Sequence, residues 1–286
     1  MSIDWRNIAA FWRELSRTLR GGKLVTVVAT YALFVSLAMS GSSAVAAQVG
    51  VWQFDNSLAN GVGGGSAMVV NGGWGETYAA ATIGGSPATA LSFPALTNTQ
   101  SLQMPNQGAA NGGGAKTNLW SMVMDINFPS VSGFKALWQT DQVISDSDGD
   151  FFINNGGIGI SSNYHGAIPA GEWVRVAAVV EPNGATAKLT KYINGTLVGT
   201  TNSTAAVDGR HSVGALLHLF ADEDGETGAG MVNSVAFYDH LLTADQISAL
   251  GGASADGIAV VPEPSTLALG GLALAGSLLV RGRRRN

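Results

Sequence analysis

Two short acidic clusters carry the side chains of this chain that are best suited to chemistry. In the first, Asp146, Asp148 and Asp150 stand two residues apart around Gly149, and such a spacing can gather oxygen ligands around Ca²⁺. The stretch is not an EF-hand loop, because its sixth and twelfth positions lack the glycine and the glutamate that define one. Calcium binding and a solvated acidic turn between two strands both fit this cluster.

In the second cluster, Asp222, Asp224 and Glu226 follow an apolar run at residues 216–220. Calcium and a solvated loop are again the alternatives. A third alternative is hydrolysis, because in an extended segment the three side chains would share one face, as the acid, base and helper residues of a retaining glycosidase do. Gly225 within the cluster favours a loop over a strand, which weighs against an enzyme.

Several aromatic side chains could stack on sugar rings, since an aromatic face binds CH-rich surfaces well. Trp120 and Trp173 lie in alternating, strand-like stretches and are predicted to be core residues. Trp74 and Tyr164 lie in loops rich in glycine and asparagine, so they are the candidate ligand-binding residues. The histidines have no Ser or Cys partner in a nucleophile setting and are predicted to be structural or surface residues: His165, His211, His218 and His240.

The composition excludes one large class of partners. Residues 48–259 contain six basic and 17 acidic side chains, a formal charge of −11. Nucleic-acid binding needs clustered Lys and Arg, so it is excluded, whereas divalent cations remain compatible. The chain has no cysteine, so stability outside the cell must come from core packing or a bound metal rather than from disulfides.

The N-terminal 47 residues have the layout of a secretory signal peptide, which implies the general secretion machinery as a partner. Basic residues come first, an apolar run follows at 24–39, and small residues end the segment. Cleavage after Ala46 and after Ala47 fits equally well. The alternative is a retained anchor helix, because the long basic region could present an amphipathic face.

The length of the middle of the chain, about 210 residues, predicts one β-rich domain. Residues 119–128 alternate as a central strand does, and so do residues 172–180 and 187–193. Asn183-Gly184 and Asn194-Gly195 separate such runs and predict two linked hairpins. Thr243 is a suitable N-cap for a helix over residues 244–250.

These stretches resemble a laminin G-like domain of the concanavalin A-like group. The resemblance rests on residues 171–177 and 191–199, on the aromatic opening at 51–55 and on the closing strand and helix at 235–247. It implies an all-β, two-sheet antiparallel jelly-roll sandwich over residues 48–252, with 253–260 as a linker. Asn233-Ser234 stands where the family commonly has an acidic pair, and Asp222 stands where laminarinase-like jelly rolls have glutamate.

The expected function of such a domain is non-catalytic binding of carbohydrate or of a surface. The alternatives are a purely structural component of a matrix or cell surface and, less favoured, a glycoside hydrolase of the same fold.

The C-terminal segment 261–286 has three ordered parts: a proline-flanked box, an apolar run at 267–280 and a basic end. The prolines hold the box extended and accessible, and the apolar run is shorter than the roughly 20 residues of a comfortable membrane span. The segment resembles a PEP-CTERM sorting signal, the alternative being a plain membrane anchor. The box consists of Val261, Pro262, Glu263, Pro264, Ser265 and Thr266.

The resemblance implies recognition by an exosortase, a membrane transpeptidase of Gram-negative bacteria that make exopolysaccharide. It also implies transient insertion of the C-terminal helix into the membrane and delivery to the cell envelope, cell surface or extracellular matrix. Exopolysaccharide is then a further candidate partner.

Overall fold

The computed structural model describes residues 48–62, 65–141, 143–144 and 150–259. All of them belong to the second of the two units into which the chain divides, residues 46–286. The predicted signal peptide, the Val261–Thr266 box, Asp146 and Asp148 lie outside the described residues. Within the described ranges, no helix is long and apolar enough to span a membrane.

The described residues form 15 strands and one short helix. The elements, in chain order, are β1 (Gln48–Gln53), β2 (Val69–Asn71), β3 (Thr77–Ile83), β4 (Ser86–Phe93), β5 (Ser101–Pro105), β6 (Trp120–Asn127), β7 (Phe134–Gln139), β8 (Phe151–Asn154), β9 (Gly157–Ile160), β10 (Asn163–His165), β11 (Val174–Asn183), β12 (Thr186–Ile193), β13 (Thr196–Thr204), β14 (Leu216–Leu219), β15 (Gly230–Tyr238) and α1 (Ala244–Leu250).

The strands pair into two antiparallel sheets. The eight-stranded sheet has the order β13-β12-β11-β6-β15-β4-β3, with β1 beside β15, and the seven-stranded sheet has the order β10-β9-β8-β7-β14-β5-β2. On one side β15 pairs with β6, and on the other its first residues pair with β4 and its last with β1. The predicted all-β, jelly-roll-like sandwich is confirmed.

Both predicted hairpins are present. Strands β11 and β12 pair up to Asn183 and Thr186, on either side of a turn in which Gly184 has a φ of 64°. The next turn places Asn194 and Gly195 at φ values of 48° and 78°, which is the backbone of a two-residue turn that matches strand twist. The local turn chemistry therefore fixes the β11-β12-β13 meander.

The main core lies between the two sheets. Alternate residues of β6, from Trp120 to Ile126, belong to this interior cluster, as the strand period of two requires. The Trp138 and Phe151 rings stack with their centroids 4.2 Å apart, and Trp120 meets Trp138 edge to face at 5.9 Å. Trp120 is completely buried, which confirms its predicted core position. Trp173 is only half-buried, because β11 begins one residue later at Val174.

The outer face of the eight-stranded sheet carries a second apolar cluster. Val123, Ala177 and Ala236 face outward there and are covered by Ile247 of α1 and by Ile258. Helix α1 begins with the predicted Thr243 cap, whose side chain accepts from the Gln246 amide while the Gln246 side chain accepts from the Thr243 amide. The central strands of this sheet are therefore buried on both faces.

Residues 251–258, which we name the C-terminal strap, continue from α1 across that outer face. The sequence predicts a linker from residue 253, but the strap is packed on the sheet. Gln53 Nε2 donates to the Asp256 carbonyl at 3.0 Å, Asn233 Nδ2 donates to the Ser254 carbonyl at 2.9 Å, and Ile258 is 2 % exposed. Small residues typical of linkers serve here to let the backbone lie close to the sheet.

Candidate ligand-binding surface

The two aromatic residues predicted to bind ligand lie far apart. Trp74 follows β2; it is half-buried against the core, and its Nε1 donates to the Ser101 carbonyl at 3.0 Å. Tyr164 lies in β10. Strands β2 and β10 are the opposite edges of the seven-stranded sheet, roughly 30 Å apart at the usual strand spacing. The structure therefore does not bring Trp74 and Tyr164 into one site.

Tyr164 instead belongs to an aromatic patch with Phe134 and Phe152. The ring centroids of Phe134 and Tyr164 are 6.0 Å apart at 66°, and those of Phe134 and Phe152 are 5.8 Å apart at 79°. Both contacts are edge to face, the arrangement that aromatic quadrupoles favour. Phe134 is 37 % exposed, Tyr164 is half-buried and Phe152 is 3 % exposed. The patch thus has a buried base and two accessible rings.

The strand register explains why these rings share a face. Phe152 pairs with Gly159, and Gly159 pairs with Tyr164. Phe151 and Ile153 belong to the interior core, so Phe152 between them points to the outer face of the seven-stranded sheet.

The intervening strand β9 supplies glycine at the two positions on this face. A Cβ on Gly157 would lie 3.0 Å from the Tyr164 Cβ, so a larger residue would push the tyrosine away. The absence of a side chain at Gly157 therefore lets Tyr164 and Phe134 approach each other from β10 and β7.

Amide and hydroxyl groups border the patch. Asn154 pairs with Phe134 on the same face, and the exposed residues Asn155, Ser161 and Ser162 occupy neighbouring turns with φ between 49° and 66°. The Asn155 side chain accepts from the Gly133 amide at 3.1 Å, which fixes the turn beside Phe134. Apolar rings bordered by a few polar groups are suited to a polyhydroxylated ligand.

A buried lysine holds β10 in place beneath the patch. Lys191 has no exposed surface, and its Nζ lies 2.6 Å from the Asn163 carbonyl, 2.8 Å from His165 Nδ1 and 2.7 Å from Thr201 Oγ1. Three neighbouring acceptors match the three protons of an ammonium group, while burial lowers the pKa of Lys191 to about 8. Lys191 therefore joins the edge strand that carries Tyr164 to the edge of the other sheet.

Of the first acidic cluster, the structure describes Asp150 alone. Its carboxylate is 2 % exposed and accepts from Thr140 N at 2.6 Å, Thr140 Oγ1 at 2.8 Å and Arg210 Nε at 2.9 Å. Burial raises the pKa of Asp150 to about 6, although the contacts with Thr140 and Arg210 act in the opposite direction. Asp150 therefore ties β7 to the loop that precedes β14, and calcium at this cluster stays a prediction.

Replacing Asp150 by asparagine is expected to change the pH dependence of stability. A carboxyl whose pKa is about 6 in the folded state and about 4 in the unfolded state adds stability that is complete below about pH 4 and is lost as the pH rises through 6. The stability advantage of the wild type over Asp150→Asn, measured as the difference between their free energies of unfolding, should therefore shrink with rising pH. We expect it to fall by on the order of 2 kcal/mol between about pH 4 and pH 7. Urea titrations at several pH values measure this difference, and Asp55→Asn, at an exposed position, is the control. A difference between the wild type and Asp150→Asn that stays constant with pH would contradict the prediction.

The second acidic cluster forms a turn after β14 rather than an extended strand. Asp222 is completely buried, and its Oδ2 accepts from the backbone amides of Asp224 at 3.0 Å and Glu226 at 3.1 Å. The shared face that a glycosidase would need is therefore not formed. Within the described ranges, no group of three or more His, Cys, Asp or Glu side chains could hold a metal ion.

The histidines lie in structural settings. His218 Nδ1 is 2.8 Å from Ser101 Oγ, but both residues are buried, so a substrate could not reach this pair. Burial and the neighbouring Arg210 lower the pKa of His211 to about 4, which keeps its ring neutral. His240 is half-buried with its Nδ1 3.6 Å from Asp239. None of these side chains borders the aromatic patch.

Phe134 and the buried Phe152 are the patch residues that the sequence did not predict, and Phe134 is the accessible one of the two. It begins β7 directly after Gly133 and is one of the few exposed large apolar residues among those described. An aromatic residue at a strand end beside a glycine turn is a weak signal in one sequence, because its neighbours are decided by the pairing of four strands.

Comparison with known families identifies the class of protein. Residues 117–248 match the concanavalin A-like lectin/glucanases superfamily, and residues 260–285 match the PEP-CTERM protein-sorting motif. These two matches confirm both resemblances seen in the sequence, one to a concanavalin A-like sandwich domain and one to a PEP-CTERM sorting signal. The sorting motif implies exosortase-dependent export to the bacterial cell envelope or surface. No curated protein matches the chain.

Several solved structures are similar in fold. Domain 4 of AbnA, an extracellular arabinanase from Geobacillus stearothermophilus, solved in complex with arabinotriose, is 19 % identical, with a TM-score of 0.47 over 71 % of this chain and 97 % of that one. The receptor-binding domain of botulinum neurotoxin type G is 12 % identical, with a TM-score of 0.46 over 71 % and 50 %. The binding domain of Paraclostridial Mosquitocidal Protein 1 is 12 % identical, with a TM-score of 0.48 over 71 % and 51 %. The match spans about half the length of the last two.

Proposed function

We propose that this protein is an exported surface or matrix component whose sandwich binds polysaccharide without cleaving it. The observation that carries the proposal is the aromatic patch, in which Phe134 and Tyr164 meet across the bare glycines of β9. Accessible rings on a rigid sheet provide stacking surface at little cost in conformational entropy. The sorting motif supports export to the cell envelope or surface, where we infer that polysaccharide is available. The exopolysaccharide of a Gram-negative envelope is the partner that this chemistry fits.

The charge distribution favours a neutral polysaccharide. The region 48–259 has a formal charge of −11, which repels polyanions. Lys135, the basic residue beside the patch, directs its Nζ to the carbonyls of Ser132 at 2.7 Å and Phe134 at 3.0 Å. The patch itself consists of rings bordered by amides and hydroxyls, and these groups suit a chain of uncharged sugars.

The arrangement of the second acidic cluster supports binding over hydrolysis. Two backbone amides of its own turn occupy the Asp222 carboxylate, which has no exposed surface, whereas a glycosidase needs two carboxyl groups flanking an accessible bond. The full chain should give no turnover of a soluble β-glucan. A measurable turnover that is lost in Glu226→Gln would contradict the non-catalytic assignment.

Replacing Tyr164 by alanine is expected to weaken polysaccharide binding about tenfold, and adding Phe134→Ala should weaken it further, because both changes remove stacking surface. Tyr164→Phe keeps the ring and should retain most of the affinity. Affinity electrophoresis of the full chain in gels containing a β-glucan, a xylan or a neutral exopolysaccharide measures the effect.

Trp74→Ala is the matched control, because Trp74 lies at the opposite edge of the same sheet. Equal mobility of the wild type and the Phe134, Tyr164 double variant in a gel that retards the wild type would contradict a role for the patch. A wild type that none of the three polymers retards would contradict polysaccharide binding itself.

A further inference from the structure

The eight-stranded sheet ends in an edge strand, β3, that has one partner. Each residue of Thr77–Ile83 pairs with β4 in a continuous register. Within the part of the chain that the structure describes, β3 pairs with no other strand. Backbone N–H and C=O groups alternate between the two sides of an antiparallel strand, so the side of β3 away from β4 presents a row of groups ready to accept another strand.

Natural proteins usually protect such an edge with a charge, a proline, a bulge or a very short strand. The seven residues of β3 are Thr-Tyr-Ala-Ala-Ala-Thr-Ile, without charge, proline or glycine, and their register contains no bulge. By contrast, the edge strands of the other sheet, β2 and β10, have three residues each. The other edge of the same sheet, β13, has nine residues without charge or proline, but it contains Gly199 and its register with β12 shifts at Lys191 and Tyr192. Lys191 also joins β13 to β10 through Thr201 and Asn163. Among these edges, β3 is therefore the one suited to strand addition.

We propose that β3 pairs antiparallel with β3 of a second copy of this chain, about a two-fold axis at Ala80, so that the two eight-stranded sheets become one continuous sheet. In this register Ala80 faces Ala80 of the other copy, the flanking alanines face each other, and Tyr78 faces Thr82. A two-fold interface must be complementary to itself, and the three central residues of β3 are all alanines, so small side chains face each other across the axis.

The uncharged and exposed edge of β3 allows a second copy as the occupant. The region 48–259 carries a formal charge of −11, so most surfaces of two copies repel each other. Two copies of β3 bring no like charges opposite one another. Ala80 and Thr82 are exposed, and the small alanines at the centre allow the two backbones to reach the usual strand spacing.

A contact of seven residues on each side is small, below the roughly 1,200 Å² of a stable interface. The contact is therefore weak in dilute solution and strengthened where copies are held together. Sorting to one surface raises the local concentration of copies in this way. The pairing would link sandwiches laterally, and it is independent of the polysaccharide site because β3 and Tyr164 belong to different sheets.

Single cysteines test the register, because the natural chain contains no cysteine. In the full chain, solubilised in detergent, Ala80→Cys places two thiols directly opposite each other, with Cα atoms about 4.5–5.5 Å apart, a separation that a disulfide accepts. Thr82→Cys is the matched control on the same face of the same strand. Its thiol lies four residues along the strand from its symmetry mate, roughly 13 Å away.

Under mild oxidation, Ala80→Cys should form disulfide dimers at least about tenfold faster than Thr82→Cys. Equal rates, or a faster Thr82→Cys, would overturn the proposed pairing. Light scattering of concentrated protein gives a second test, in which Ala80→Lys removes dimers by opposing two like charges. The exposed Ala170→Lys is its control. Dimers that persist in Ala80→Lys would place the contact elsewhere and overturn the proposal.

Discussion

Replacing Arg175 by leucine is expected to lower the free energy of unfolding by about 3–5 kcal/mol, because it leaves a buried carboxylate without its counter-ion. Arg175 is 4 % exposed and Asp125 has no exposed surface. The guanidinium donates from Nε to Asp125 Oδ1 at 2.6 Å and from Nη2 to Oδ2 at 2.7 Å. After the substitution, Asp125 would keep only weaker donors, the Ser254 amide at 3.2 Å and the Ser234 hydroxyl at 3.3 Å.

Urea denaturation measures this loss, and Lys188→Leu is the matched control. Lys188 pairs with Glu181 at 2.8 Å, but these side chains are 36 % and 31 % exposed, and such surface pairs contribute less than about 1 kcal/mol. Adding Asp125→Leu to Arg175→Leu should recover part of the stability, because it removes the uncompensated charge. Similar small losses in Arg175→Leu and Lys188→Leu would show that the buried pair does not hold the sheet.

The same substitution should also release the C-terminal strap. The Arg175 guanidinium donates to the carbonyls of Leu250 and Gly257, the latter at 3.1 Å, so it ties the residue before the strap and the end of the strap to the sheet. Limited proteolysis should therefore cut the strap sooner in Arg175→Leu than in Lys188→Leu. The strap ends at Ile258, and the sorting motif begins at residue 260. The folded domain thus extends to the start of the sorting motif.

Replacing Trp120 by alanine is the second substitution with a large expected effect, a loss of about 3–5 kcal/mol. The side chain is completely buried, and its ring centroid lies 5.9 Å from that of Trp138 and 5.7 Å from that of Phe237. Its Nε1 donates to the His211 carbonyl at 2.7 Å, so alanine would leave a cavity and an unpaired acceptor.

Trp173→Ala is the matched control, because Trp173 is half-buried and lies just before β11. Its loss should stay near 1 kcal/mol, about the usual cost of a substitution outside the core. The urea midpoints of unfolding measure the two losses, provided that the dependence of the free energy of unfolding on urea concentration is the same in both variants. Equal destabilisation by Trp120→Ala and Trp173→Ala would contradict the burial difference between them.

The two tryptophans show where the strand pattern stops being informative. Trp120 and Trp173 both lie in alternating stretches, and the sequence predicts both to be core residues. Trp120 belongs to the interior cluster and lies in β6, which is covered on both faces, whereas Trp173 precedes the first paired residue of its strand. Alternation reports the period of a strand, but where pairing begins depends on the neighbouring strands.

The aromatic patch also depends partly on local sequence and partly on the pairing of distant strands. The loop composition around Tyr164 predicts an accessible aromatic residue. Its partner Phe134 is 30 residues earlier in the chain, and the two rings meet only because β7, β8, β9 and β10 pair in one register. Trp74 has the same kind of sequence context, but its indole packs on the core and its Nε1 is hydrogen-bonded.

The C-terminal strap has the composition of a linker, but the structure shows it docked on the sheet. Ala253, Ser254 and Gly257 are typical of a linker, since small residues form little structure of their own. Here side chains of the sheet, those of Arg175 and Asn233, donate to strap carbonyls. The partners that dock the strap are distant in sequence, so no local pattern could reveal them.

Local sequence patterns predicted the two Asn-Gly hairpins, the helix cap and a β-rich domain, because turn geometry, capping and strand period depend on residues close together in the chain. The sandwich class and the sorting motif were predicted from their resemblance to known families. The packing of the strands in space brings Tyr164 to Phe134, buries Asp150 and Asp222 among contacts of their own, and docks the strap on the sheet. These outcomes depend on strand register and on burial, which set residues far apart in the chain beside one another.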